Sequence, residues 1–141
     1  MSVWSLGDKS ITHVRNPKFA PKKQHFSPDK RFVALAERSD CKDWIGIYST
    51  QNWELVSHFN TETIDLEDLM WTPEDSVILV WDTYLEYKLL IYNTVGTLIA
   101  RHVPYENALG IKTVSLSPDG LLCSIGSYDQ QVRIFGYLSW Q

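Results

Sequence analysis

The chain has 141 residues, 44% hydrophobic and 21% charged, with a formal net charge of -4. That balance fits one globular domain or part of one. It excludes wholesale disorder and argues against a nucleic-acid binder driven by overall charge. No run of about 18 apolar residues occurs, which excludes a membrane-spanning helix.

The opening residues Met1, Ser2, Val3, Trp4 and Ser5 lack the charged and apolar regions of a signal peptide. The two cysteines, Cys41 and Cys123, lie far apart and form no Cys-x-x-Cys pair. A reduced cytosolic protein is the simplest expectation. Aromatic residues reach 13%. β-Branched residues fall in short runs, and no long stretch has apolar residues at helical spacing. An all-β chain of short strands is expected.

In chain order, strands are predicted over 3–5, 10–15, 32–37, 44–49, 55–60 and 68–72. They continue over 77–82, 88–93, 98–102, 111–117, 121–127 and 131–136, with the start of another at 138–141. Between them lie turn signals with a mechanism. Ser27-Pro28-Asp29-Lys30, Thr72-Pro73-Glu74-Asp75 and Ser117-Pro118-Asp119-Gly120 each place proline at a corner that needs its fixed φ.

These turns reveal a repeat: Pro28, Pro73 and Pro118 are spaced 45 residues apart. Two positions before each proline stands Phe26, Trp71 or Leu116, and four after it Phe32, Val77 or Leu122. The pairs Ile47-Tyr48, Ile91-Tyr92 and Ile134-Phe135 close the units. A period near 45 with four strands per unit indicates a propeller. The units read as the end of one blade (1–22), blades over 23–60 and 68–102, and an incomplete blade over 111–141. Such a partial array is expected of an internal piece of a longer propeller protein. Phe26, Trp71 and Leu116 are expected to be buried between blades.

Charge is segregated. Residues 1–31 carry seven Lys or Arg against two acids, and residues 60–86 carry eight acids with no Lys or Arg. This describes either two solvated loop faces or a bipolar surface that orients partners.

Catalytic signatures are missing. There is no nucleophile elbow and no phosphate-binding glycine loop. His13, His25, His58 and His102 lack metal-ligand spacing. Asp82 and Glu86 share a loop without the burial that tunes acid-base pairs. No catalytic, cofactor or metal site is assigned. Two segments read as binding surface instead: 39–43, with Asp40 and Asp43, and 81–87, with Trp81, Asp82, Tyr84, Glu86 and Tyr87. Both link second to third strands, which puts them on one propeller face. Their composition suits a protein interface centred on Tyr84 and rimmed by acids. For Trp81, packing between blades is the equal alternative.

The third unit closely resembles the WD-repeat motif. It holds Val114-Ser115-Leu116-Ser117-Pro118-Asp119-Gly120, then Gly126-Ser127-Tyr128-Asp129, then Val132-Arg133-Ile134-Phe135. Asp129 stands where that family places a turn aspartate that ties a blade together. The Gly-His and Trp-Asp dipeptides of ideal repeats are replaced throughout.

More specific are 34–43, Leu79-Val80-Trp81-Asp82-Thr83, Leu85-Glu86-Tyr87-Lys88 and Leu109-Gly110-Ile111-Lys112. With them the chain resembles the centrosomal WD-repeat family called WD repeat-containing protein eight. The resemblance implies a non-enzymatic scaffold in the cytoplasm, at centrosomes, centriolar satellites and spindle poles. It implies roles in microtubule minus-end anchoring, spindle assembly and cilium formation. The implied partners are a coiled-coil protein of the afadin- and alpha-actinin-binding type and a minus-end-directed kinesin. Neither nucleic acid nor membrane is among them. The alternatives are a WD-repeat adaptor for ubiquitin ligation or RNA processing, or a piece of a propeller enzyme.

Overall fold

The structure is a computed structural model and describes residues 1–18, 24–74, 77–106 and 108–136. All its regular elements are strands, arranged as four antiparallel meanders. The first is a two-stranded ladder of β1 (Ser2–Trp4) and β2 (Ile11–His13). Blade one contains β3 (Gln24–Phe26), β4 (Phe32–Ser39), β5 (Lys42–Ser49) and β6 (Leu55–Asn60), in that spatial order. Blade two repeats the order with β7 (Asp68–Trp71), β8 (Val77–Trp81), β9 (Leu89–Asn93) and β10 (Leu98–His102). Blade three holds β11 (Ile111–Leu116), β12 (Leu122–Ser127) and β13 (Val132–Gly136). The strand expected at 138–141 lies outside the described residues.

The Ser-Pro-Asp turns explain the 45-residue phase. Lys30 N–H donates to Ser27 C=O at 2.9 Å, and Gly120 N–H to Ser117 C=O at 2.9 Å. Each aspartate then accepts from its serine hydroxyl and from the amide two residues on, Arg31 or Leu121. The serine hydroxyl in turn accepts from the first strand amide, Phe32 at 3.1 Å or Leu122 at 2.9 Å. These donors, the Ser27 hydroxyl first, hold Asp29 down at about 2. Lys30 and Gly120 both take positive φ, 64° and 70°, a geometry that glycine adopts without steric cost.

Alternation along the strands builds two inter-blade cores. Ala34, Ala36, Ile45 and Ile47 of blade one meet Trp71, Ile78, Val80, Leu90 and Tyr92 of blade two. Leu79, Trp81, Leu89 and Ile91 face the other way, onto Ile111, Val114, Cys123 and Ile125 of blade three. Blade two is therefore apolar on both faces, which is why 77–81 and 89–92 read as nearly continuous hydrophobic runs. A smaller cluster of Val14, Val33 and Leu35 faces the β1–β2 ladder. Burial pushes the Cys123 thiol up to about 11, which makes it a small hydrophobe in practice.

Trp71 is buried as expected and Leu116 partly so, but Phe26 is 41% exposed. Its register partner is Val33, so it points toward the β1–β2 side, where two short strands offer little cover.

Candidate protein-docking face

In an antiparallel meander, the β4–β5 and β8–β9 turns lie at the same end of the blades as the connectors between blades. The two segments singled out in the sequence are these turns. The first is tighter than expected. β4 and β5 pair up to Ser39 and Lys42, leaving only Asp40 and Cys41 as corner residues. Both have positive φ, 52° and 59°, as a type I′ hairpin requires. Asp40 is exposed at the tip.

Asp43 is corrected from surface rim to buried anchor. It is 1% exposed and lies in β5. Its carboxylate accepts from Lys18 Nζ at 3.0 Å, Arg38 Nη1 at 3.0 Å, Thr63 Oγ1 at 2.9 Å and the Leu66 amide at 2.7 Å. Asp82 is likewise corrected, being fully buried. It accepts from the amides of Ile64 and Asp65 at 2.9 Å and Thr83 at 2.8 Å, with Lys88 Nζ at 3.6 Å. The two carboxylates thus grip the connector between blades one and two from opposite sides. Burying both charges is tolerable because each is saturated with donors. The long acidic stretch is explained in part by this wiring, since Asp65 also pairs with Lys18 and Arg38.

Trp81 packs in the core between blades two and three, the structural alternative foreseen for it. Tyr87 is also corrected to the interior, at 1% exposed. Its hydroxyl accepts from Arg133 Nη1 at 3.4 Å, and the guanidinium lies 5.1 Å from its ring centroid. Arg133 also donates to Asp129 at 2.9 Å and to Tyr105. Asp129 therefore ties its own turn and, through Arg133, blade two and the connector before blade three. The Arg133 and Ser127 donors lower its carboxyl to about 2.

What remains at the surface is centred on Tyr84, which is 52% exposed. Its ring meets Tyr128 of blade three edge-on, with centroids 6.1 Å apart. Gly110 joins the two turns: its N–H donates to Tyr84 C=O at 2.6 Å, and its C=O accepts from Tyr128 N–H at 3.0 Å. A Cβ at position 110 would stand 2.6 Å from Glu86 O and 2.8 Å from Thr83 O, so only glycine fits. Exposed Leu85 and Leu109 flank the pair. Lys112 Nζ lies 5.9 Å from the Tyr128 ring, and Glu86 is half-buried at the edge. The expected rim of Asp40, Asp43, Asp82 and Glu86 around Tyr84 is thus replaced by a tyrosine pair with aliphatic flanks. Sequence reasoning missed Tyr128 as part of this exposed aromatic patch, although it occupies the third unit's matching turn.

Polar groups converge at one other place. Glu37 is buried, accepts from Tyr48 Oη at 2.6 Å and lies 2.9 Å from His58 Nε2, whose ring stacks on Trp44. Gly46 leaves the room that its carboxylate occupies. Burial and the Glu37 carboxylate push the Tyr48 hydroxyl well above its usual range. The Glu37 carboxylate is thus satisfied by Tyr48 and His58, which makes the set a structural network rather than an open site, although the Trp44 indole N–H has no partner among the described residues. Among the described residues no group of His, Cys, Asp and Glu is placed to hold a metal ion.

No family profile matches the chain. WD repeat-containing protein WRAP73 of Mus musculus is 42% identical over all 141 residues, which cover 30% of that protein. An uncharacterized WD repeat-containing protein of Schizosaccharomyces pombe is 25% identical over 134 residues, 91% of this chain and 27% of that protein. The chain thus spans less than a third of these curated relatives. A solved structure, that of the Dos1 propeller, superposes with a TM-score of 0.76 over 97% of this chain and 36% of that one. At 12% identity, it speaks for the fold alone. Four-stranded meanders in a 45-residue phase, with whole-chain identity to a WD-repeat protein, place this chain among the WD-repeat β-propeller proteins.

Proposed function

We propose that the chain forms part of a non-enzymatic protein-binding scaffold of the centrosome and spindle pole. There it supports microtubule minus-end anchoring, spindle assembly and cilium formation. The sequence resemblance to the centrosomal WD-repeat family supports the setting, and kinship with WD-repeat proteins supports the scaffold role. The observation that carries the reading is the exposed Tyr84–Tyr128 pair between Leu85 and Leu109. Amphipathic aromatics bracketed by aliphatic side chains and held by backbone hydrogen bonds make a pre-formed hot spot. The partner that fits is a helical segment of a coiled-coil centrosomal protein, with a minus-end-directed kinesin joining the same assembly.

The test uses the full-length parent protein in dividing cells. Tyr84→Ala combined with Tyr128→Ala is expected to abolish recovery of the coiled-coil partner and enrichment at spindle poles. Protein level and thermal midpoint should stay at wild-type values. Normal partner recovery and normal localisation of the double variant would overturn the reading.

A further inference from the structure

We infer that the cleft between the β1–β2 ladder and blade one is a binding site for a neutral pyranose sugar. The cleft lies where the β1–β2 turn meets the β5–β6 turn, at the end of blade one away from its β4–β5 turn. Its volume is about 510 Å³, within the range of small-molecule pockets. Apart from Trp53, every described residue lining it bears a hydroxyl, a carboxamide or a carboxylate. At the corresponding seam between blades one and two, the walls include Ile47, Val56 and Val95. The two turns differ as well. Each is closed by the last residue of a third strand, Ser49 N–H donating to Glu54 C=O and Asn93 N–H to Thr97 C=O, both at 3.0 Å. The residue before each acceptor takes positive φ, 57° at Trp53 and 99° at Gly96. Blade two thus places glycine where blade one holds an indole in a conformation that bulky residues rarely adopt. Strained positions of this kind cluster at ligand sites. Trp53 is half-buried, and it both packs against the Val14, Val33 and Leu35 cluster and walls the cleft.

The walls choose the ligand. The Asp8 carboxylate accepts from the Ser10 N–H at 3.0 Å and the Ser10 hydroxyl at 2.8 Å, and donors from Ser5 and Ser10 hold it down at about 2. It is therefore a fixed, ionised acceptor, and with about four lone-pair directions it can still take a ligand hydroxyl. Asn52 Oδ1 accepts the Glu54 amide at 3.1 Å, which leaves the Asn52 NH₂ group to donate. The Gln51 carboxamide has no hydrogen-bond partner among the described residues. Sugar hydroxyls both donate and accept, so a neighbouring pair of them suits an acceptor and a donor set side by side, while the C–H face of the ring packs on an indole. No described Lys, Arg or His lines the cleft, so phosphate and carboxylate ligands find no counter-charge there. Lys9 and Glu54 adjoin it in the chain with opposite signs; the choice rests on the hydrogen-bonding groups and the indole.

The experiment is saturation-transfer NMR of the 141-residue chain with the methyl glycosides of glucose, galactose, mannose and N-acetylglucosamine, followed by titration of the best binder. At least one glycoside is expected to bind saturably, with transfer strongest to its ring C–H protons. Trp53→Gly, which supplies the residue that blade two carries, should keep the fold by circular dichroism and weaken binding by about tenfold or more. Gln51→Ala, at an exposed position, should weaken it by about threefold and decides the matter should Trp53→Gly fail to fold. Tyr84→Ala should bind as the wild type does. Absence of saturable binding by every glycoside, equal affinity for the wild type and the cleft variants, or tighter binding of tetramethylammonium than of any glycoside would each overturn the proposal. Because the readout is independent of the tyrosine face, its failure leaves the proposed scaffold role standing.

Discussion

Asp43 shows how far a side chain's role can depart from its exposed neighbours. Asp40, three residues earlier, sits in solvent, while Asp43 is enclosed by Lys18, Arg38, Thr63 and the Leu66 amide. Removing it leaves the nearly buried Lys18 ammonium without one of its anchors. Asp43→Ala should therefore lower stability by about 3–5 kcal/mol in urea titrations, and Asp40→Asn, which keeps a side chain that tolerates the left-handed turn geometry, by less than about 0.5 kcal/mol. The histidines give a pH signature. Burial, with Lys30 nearby, lowers the pKa of His25, and burial with Arg133 lowers that of His102. His25 Nδ1 also accepts the Trp71 amide at 3.2 Å, which requires a neutral ring. Unfolded, both titrate near 6.5. As pH falls through that value the unfolded chain takes up protons that the folded chain resists, so stability declines on the acid side. The urea midpoint should drop between about pH 7.5 and about pH 5.5. The drop should shrink in the His25→Gln, His102→Gln double variant.

The strands were legible at the level of the element because their punctuation has a mechanism. Proline presets one corner, aspartate collects the turn's donors, and the strand begins at a fixed offset. The internal comparison of Lys30 with Gly120 offers a test. Both occupy the same left-handed position, where a lysine is strained and a glycine is not. Lys30→Gly should raise stability by about 1 kcal/mol. Trp71→Ala, which empties a site between two blades, should cost about 3–5 kcal/mol, read by the same unfolding titration. Phe26→Ala should cost far less, since its ring faces a two-stranded ladder. That difference was not legible, because the repeat fixes which way a side chain points but not how much sheet lies opposite it. The docking segments were legible as connections and misleading as surfaces. Alternation predicts the facing of strand residues, whereas the inward turn of Asp43, Asp82 and Tyr87 depends on groups contributed by 18, 63–66 and 133. Gly110 stood in a motif of the resemblance, but its reason appears only when the Thr83–Glu86 backbone lies against it.

At the scale of the whole molecule, the array is held by its seams. Blade two is covered on both faces, whereas the outward face of blade three shows Leu122, Val132 and Ile134 to solvent. Exposed apolar sheet of this kind favours association. Sedimentation of the purified chain should show concentration-dependent assembly, and Ile134→Lys should shift it toward monomer. The connector gripped by Asp43 and Asp82 has a kinetic consequence as well. Ile64, Asp65 and Leu66 form no strand, yet their amides are tied to carboxylates rooted in different blades. Deuterium can enter there only when a blade lets go, so these three amides should exchange on the slow timescale of sheet interiors. The connector then works as a latch, opening with cooperative loss of the seam rather than by local fraying, and amide exchange followed by mass spectrometry would time that opening directly.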